Sequence, residues 1–325
     1  NFETIQIGSN AAAGITLGDA NIASGKSMTI DGTKITGSGN ALTVVATSEA
    51  DGALTVLGGS GGDVITGTSS VLGDTLKGNA GNDTFNFATA NFTTLDTVDG
   101  GAGTTDTINI SDAATVVDAD FTNVTNVEKL TGAAALTVTI GDVAQAAALT
   151  TISSVGALTL TIDKEYTSAL TLALVATNDT VTGTAYTGDM SVTYAADNLD
   201  ASDTLIGGTG TNDSITVSGA GAVALVGTDL NNVSAFEKII IGSNAGAASV
   251  TLVNGNVAAG KALTVDATAL VSTNAITFVG TAEVDGGVTV LGGAGADQIT
   301  GTASSVGDTL NGGSGNDTFT FAAAN

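Results

Sequence analysis

The sequence predicts an all-β chain: a right-handed parallel β-solenoid or β-roll built from repeated units whose turns are made of glycine and aspartate. Three observations predict it. Short runs alternate apolar residues with Thr or Ser. Gly, Asn or Asp interrupts those runs every 8–22 residues, and a long stretch of the chain repeats itself.

The strands come first. "ALTVLGG" (53–59), "ALTVTI" (135–140), "ALTLTI" (157–162) and "MSVTY" (190–194) all have period two, the pattern of a strand with one face buried. Only "DVAQAAAL" (142–149) reads as a helical turn. Hydrophobic residues make up 42% of the 325 positions but aromatics only 4%, so the core is built from Val, Ile, Leu, Ala and Thr, mostly strand formers. There are 45 glycines and no proline, and the aliphatic content argues against disorder.

The repeat is next. "EADGALTVLGGSGGDVITGTSSVLGDTLKGNAGNDTFNF" at 49–87 matches 283–321 at 26 of 39 positions, an offset of 234. "FETIQIGSN" (2–10) returns as "FEKIIIGSN" (236–244), and "GKSMTID" returns as "GKALTVD". A more diverged copy lies between them, with "NVEKLTG" at 126–132 and "GGTGTNDSITV" at 207–217. Three units are expected: 1–118, 119–228 and a shortened 229–325. The last stops at "FAAAN" where the first runs on through "FATAN", and the chain opens on "NFETIQIG" without an initiator Met or signal peptide. The expectation is a segment of a longer repetitive protein.

Charge narrows the function. Seven lysines face 26 Asp and 6 Glu, a net charge of −25. So acidic a surface repels nucleic acid. No apolar run is long enough to span a bilayer as a helix. There is no His and no Cys, which removes Ser-His and Cys-His nucleophiles and His- or Cys-ligated zinc, so no enzyme is expected. The preference for Asp over Glu places the acids at turns, where Asp tolerates the backbone and serves as a short, hard ligand.

The turns follow a nine-residue pattern, G-G-x-G-x-D-x-U-x, with U a large apolar residue. "GGSGGDVIT" (58–66), "GGAGADQIT" (292–300) and "GGSGNDTFT" (312–320) fit throughout; "GNAGNDTFN" (78–86) lacks one glycine. "GGAGTTDTIN" (100–109) and "GGTGTNDSIT" (207–216) carry one extra residue before the acid, and "GDTL" at 73–76 and 307–310 keeps the acidic core alone. Glycine frees the backbone to turn and to aim carbonyl oxygens inward, and Asp adds carboxylate oxygens. Stacked turns would surround Ca2+ with several hard oxygens. The candidate metal residues are Gly58, Gly59, Gly61 and Asp63; Asp74; Gly81 and Asp83; Asp106; Asp213; Gly292, Gly293, Gly295 and Asp297; Asp308; and Gly312, Gly313, Gly315 and Asp317. Their carboxylates are expected to repel one another until a divalent ion neutralises them. Ile65, Phe85, Ile299 and Phe319 are expected in the core, with Phe87 and Phe321. The recurring Glu3, Glu128 and Glu237 read as acids on a solvated strand face.

These turns, the Thr-, Ala- and Gly-rich composition and the phrases Phe2-Glu3-Thr4 and Phe236-Glu237-Lys238 resemble bacterial surface-layer (S-layer) proteins of the RTX class. That resemblance implies a secreted protein at the bacterial cell surface, exported by type I secretion without a cleaved N-terminal signal and folding on multiple calcium ions. The implied partners are other copies of itself, in a lattice, tube or filament, and cell-surface polysaccharide. Two other readings stay open: the calcium-rigidified stalk of a large secreted RTX adhesin, and the β-roll of a secreted hydrolase.

Overall fold

The computed structural model describes residues 2–322 apart from 176–177, 196–197, 220, 227 and 243–245; Ser243 and Asn244 of the second "GSN" and the last three residues of "FAAAN" lie outside the described residues. The chain forms two compact units, Asn1–Gly156 and Ala157–Asn325. In each, short parallel strands stack turn upon turn into a β-solenoid.

In the first unit, six strands form one sheet: Thr4–Gln6, Ser27–Asp31, Ala53–Leu57, Thr75–Lys77, Thr97–Asp99 and Val124–Thr125. They alternate along the chain with Ala13–Gly18, Leu42–Ser48, Val64–Thr66, Thr84–Phe87, Thr107–Ile110, Lys129–Gly132 and Thr151–Ser154 in the other. The period-two runs decide which side chains face inward. Register places Val44, Ile65, Phe85, Ile108, Leu130 and Ile152 in one continuous column, every member fully buried. In the other sheet, Ile30, Val56, Leu76 and Val98 form a second buried column. Each such aliphatic side chain contributes about 1.5–3 kcal/mol by leaving water. Outward positions carry the threonines, as in the row Thr29, Thr55, Thr75 and Thr97.

The second unit repeats the plan. Leu170–Leu174, Met190–Ala195, Ser214–Ser218, Lys238–Ile241, Ala262–Asp266, Gly287–Leu291 and Thr309–Asn311 stack in parallel. Leu172, Val192, Ile215, Ile239, Val265 and Val290 line their inner face. The remaining strands are Leu158–Ile162, Thr180–Thr182, Thr204–Ile206 and Val233–Ser234, then Val223–Leu225, Ala248–Thr251, Ile276–Val279, Gln298–Thr300 and Thr318–Thr320. Tyr166, Tyr186 and Tyr194, all fully buried, supply bulk that the flanking copies take from aliphatics and Phe.

Each unit has one place where this second face changes sheets. Val124–Thr125 closes the six-stranded sheet, while Ala114–Val116, just before it in the chain, pairs instead with Leu136–Ile140. Val233–Ser234 and Val223–Leu225 repeat that arrangement 109 residues later. The turn at each junction carries an extra strand. The helical stretch is a five-residue helix, Asp142–Ala146, whose first N–H groups donate to the Asp118 carboxylate.

One core expectation is corrected. Phe85 and Phe87 are buried, but Phe319 and Phe321 are 41% and 76% exposed. The column over Phe85 continues into Ile108, whereas Thr318–Thr320 is the last described strand of its sheet and has Ile299 on one side only.

Candidate metal centre

A parallel solenoid leaves one recurrent problem. Where the chain enters a strand, the N–H of a residue at that entry lies inside the stack and needs an acceptor. The acids supply it. The Leu42 N–H donates to Asp63 Oδ1, Asp63 N–H to Asp83 Oδ1 and Asp83 N–H to Asp106 Oδ1, each at 2.7 Å; Asp106 N–H donates to Glu128 Oε2 at 2.8 Å. Successive members stand 20–23 residues apart, one turn of the solenoid. A second ladder joins Leu54 N–H to Asp74 Oδ1 and Asp74 N–H to Asp96 Oδ1, both at 2.9 Å.

In the second unit, Asp179 accepts from Leu158 and Asp203 from Asp179, at 2.7 Å each. Asp213 accepts from Met190 at 2.6 Å, and Glu237 from Asp213 at 2.9 Å. Asp297 accepts from Ile276, Asp317 from Asp297 and Asp308 from Val288, at 2.9–3.0 Å.

The second carboxylate oxygen sorts nine of these corners into two kinds, while Asp179 Oδ2 accepts from the Tyr194 hydroxyl at 3.4 Å. In the first, a turn N–H takes it: Gly59 to Asp63 at 2.6 Å, Thr68 to Asp74 at 2.7 Å, Thr93 to Asp96 at 2.8 Å, Asp200 to Asp203 at 2.8 Å, Gly293 to Asp297 at 3.0 Å and Thr302 to Asp308 at 2.7 Å. In the second, Oδ2 of Asp83, Asp106 and Asp213 is buried with no hydrogen-bond partner. Repulsion among the acids therefore has two remedies here. Backbone N–H groups stabilise six carboxylates directly, which the expectation of a purely metal-neutralised stack did not include. Three oxygens are left to a cation or a proton.

The cause is legible locally. In two of the three full copies the second glycine's N–H reaches the acid, whereas in the third the Gly313 N–H donates to Asn311 Oδ1 at 3.0 Å. In "GNAGNDTFN" that place is Asn79, in the left-handed region at φ 71°, and in the inserted copies the extra residue displaces the acid from the turn.

Burial raises the affinity of these groups for a proton. It pushes Asp83 up to about 7, helped by the charges of Asp63 and Asp106, and Asp74, Asp179 and Asp213 up to about 6. Burial also raises Asp63 and Asp106.

Most motif glycines serve close approach rather than unusual dihedrals. A side-chain carbon at Gly58 would collide with Asp63 Oδ2 and the Gly78 carbonyl, and one at Gly292 with Asp297 Oδ2 and the Gly312 carbonyl. Gly59, Gly61, Gly293 and Gly295 abut carbonyls of the preceding turn in the same way, and Gly312 abuts Asp317. Gly81, Gly313 and Gly315 alone among the candidates need φ values of 116°, 86° and 128°.

Carboxylate and carbonyl oxygens thus converge at these corners without nitrogen or sulfur ligands, a donor set that fits a hard cation such as Ca2+. Such an ion would be held by single carboxylates and carbonyls rather than by acid clusters. Among the described residues, the one group of three acids with mutually close oxygens is Asp19, Glu49 and Asp51, where both Glu49 oxygens already accept backbone N–H groups.

The sequence reading missed several ladder members. Asp96, Asp179 and Asp203 share the signal Asp-Thr-apolar that also marks Asp74, Asp83 and Asp106. Glu128 and Glu237 are only partly solvated: each lies half-buried and closes a ladder one turn beyond the last Asp. Glu3 is exposed in the first strand region. No protein-family model, no curated protein and no solved structure matches this chain.

Proposed function

We propose that this chain is a structural extracellular repeat, a calcium-dependent, self-assembling element of an S-layer, sheath or filament. The observation that carries this reading is the run of buried acids along stacked turns, three of them with an oxygen that none of the described residues satisfies. Desolvated carboxylates of this kind make the folded state depend on a counter-ion. Extracellular calcium modules bind at about 10⁻⁴–10⁻³ M. At ten times its dissociation constant each site adds about 1.4 kcal/mol, so two sites would add about 3 kcal/mol, a sizeable part of a domain's stability. The repeated, outwardly polar turns and the resemblance to RTX surface-layer proteins support secretion, assembly of the chain with itself and a cell-surface location with polysaccharide as a further partner. The absence of His and Cys supports a non-enzymatic role.

The calcium-rigidified stalk of a large RTX adhesin is the second reading, favoured by the same stacked geometry. Electron microscopy of the purified protein, with and without millimolar calcium, separates them. Ordered arrays, tubes or fibres that dissolve in chelator support assembly, and isolated rods support the stalk. Images unaffected by calcium overturn both.

A further inference from the structure

The sequence pattern ranks the turns by their match to the nine-residue motif, so that Asp63 and Asp297 head the order and the turns with an inserted residue come last. The structure reverses that order. Asp63 and Asp297 have both oxygens occupied by backbone N–H groups. Asp106 and Asp213, in the inserted turns, are fully buried and each keeps one oxygen without a partner.

The surroundings of the two are equivalent. Within 2.9 Å of the point that a Cβ on Gly103 would take lie the Gly81 carbonyl oxygen and both Asp106 oxygens; around Gly210, within 3.0 Å, lie the Gly188 carbonyl oxygen and both Asp213 oxygens. A second carbonyl arrives from the turn above. Asn126 lies against Gly100 beside Asp106 Oδ2, and Ala235 lies against Gly207 beside Asp213 Oδ2. Asn126 and Ala235 both adopt the left-handed region, at φ 53° and 58°. For alanine that conformation is strained, and here it turns a carbonyl oxygen towards the one carboxylate oxygen that accepts no hydrogen bond. Two residues further on, Glu128 and Glu237 add a carboxylate that accepts the N–H of the same Asp. Carbonyl and carboxylate oxygens repel when they converge in a buried space, so a left-handed residue aiming one at the other twice over, once at the cost of alanine strain, implies a cation between them. Asp83 carries the third orphaned oxygen, but Met190 holds its register position in the second unit, so the recurrence singles out Asp106 and Asp213.

We propose that the two inserted turns, 100–106 and 207–213, are the cation sites of the chain. Each would take one hard divalent ion on the free Asp oxygen and the carbonyl oxygens of the turns on either side. Each site lies at the corner between the closing strands of one sheet and the long sheet, so the ion ties successive turns together at that corner. This deepens the calcium reading and rests on it.

Calcium stoichiometry, measured by isothermal titration on the full chain and on the variants D106N, D213N and the double variant, tests it. Asn retains the oxygen that accepts the Asp83 or Met190 N–H and presents N–H donors to the carbonyls, so the variants keep the fold, checked by circular dichroism. Each single variant loses one ion and the double variant loses both, whereas D63N and D297N lose none. Terbium provides a readout on the unmodified chain. All three tyrosines lie between residues 166 and 194, and the Tyr186 hydroxyl lies against Gly188, whose carbonyl faces Asp213. Tyrosine-sensitised terbium emission therefore appears in wild type, is displaced by calcium, vanishes in D213N and persists in D106N. A wild-type chain that binds no calcium overturns both this assignment and the calcium reading. Calcium binding that survives in the double variant, or bound terbium without sensitised emission, overturns this assignment alone.

Discussion

Removing divalent ions and raising the pH from 4 to 8 should weaken the fold, because the buried acids hold protons more tightly folded than unfolded. Asp83 is the extreme case. Fully buried, it is pushed to about 7 from an ordinary value of 3.8. Its folded pKa lies above its unfolded one, so its contribution is fully present below pH 4 and is lost as the pH rises through 7. That difference corresponds to on the order of 4 kcal/mol, at 1.36 kcal/mol per pH unit. Asp74, Asp179 and Asp213, at about 6, act with the same sign between pH 4 and 6. Asp31, Asp112 and Asp266 are held below the ordinary range by hydrogen bonds from Thr33, Thr89, Thr268 and Lys238; their opposite effect falls below pH 4, outside this window. The assay is urea denaturation followed by circular dichroism in EDTA at pH 4.5, 6 and 8, on wild type and D83N. The amide that D83N introduces still accepts the Asp63 N–H but cannot titrate. Wild type loses several kcal/mol across the window, and D83N loses on the order of 4 kcal/mol less. Stability that is flat or rises with pH in EDTA, or a D83N curve parallel to wild type, refutes the reasoning.

The remaining expectations concern packing and close approach. Phe85→Ala, deep in a stacked column, should cost about 3–5 kcal/mol in chemical denaturation, whereas Phe319→Ala at the matching motif position should cost clearly less, because 41% of Phe319 is already in water. Gly100→Ala places a carbon into the Asn126 carbonyl, which is backbone and cannot swing aside, and should lower stability by more than about 3 kcal/mol. Gly8→Ala, with nothing within 4 Å, should leave the melting temperature within about a degree.

Much of the architecture is written in local pattern. Alternation of Leu or Val with Thr in "ALTVTI" and "ALTLTI" can only serve a strand with one buried face, and the structure places strands at Leu136–Ile140 and Leu158–Ile162. The acids before each strand, and the glycines beside them, were also legible as corners. Their partners were not. Each carboxylate takes an N–H some 20–24 residues away, a distance set by how much chain one turn consumes, and no nine-residue motif encodes it.

The sequence by itself determined that the chain is a stack of short strands with acids at its glycine corners, since alternation and turn chemistry are properties of adjacent residues. Only the tertiary structure decided which acids are satisfied and which are not. One inserted residue separates the turns of Asp63 and Asp106 in sequence, but only the stacking of the turns shows that a turn N–H meets the second oxygen of the first and a facing carbonyl that of the second. The same holds for Phe85 and Phe319: each follows Gly-Asn-Asp-Thr in the chain, but a further strand lies over one and none is described over the other.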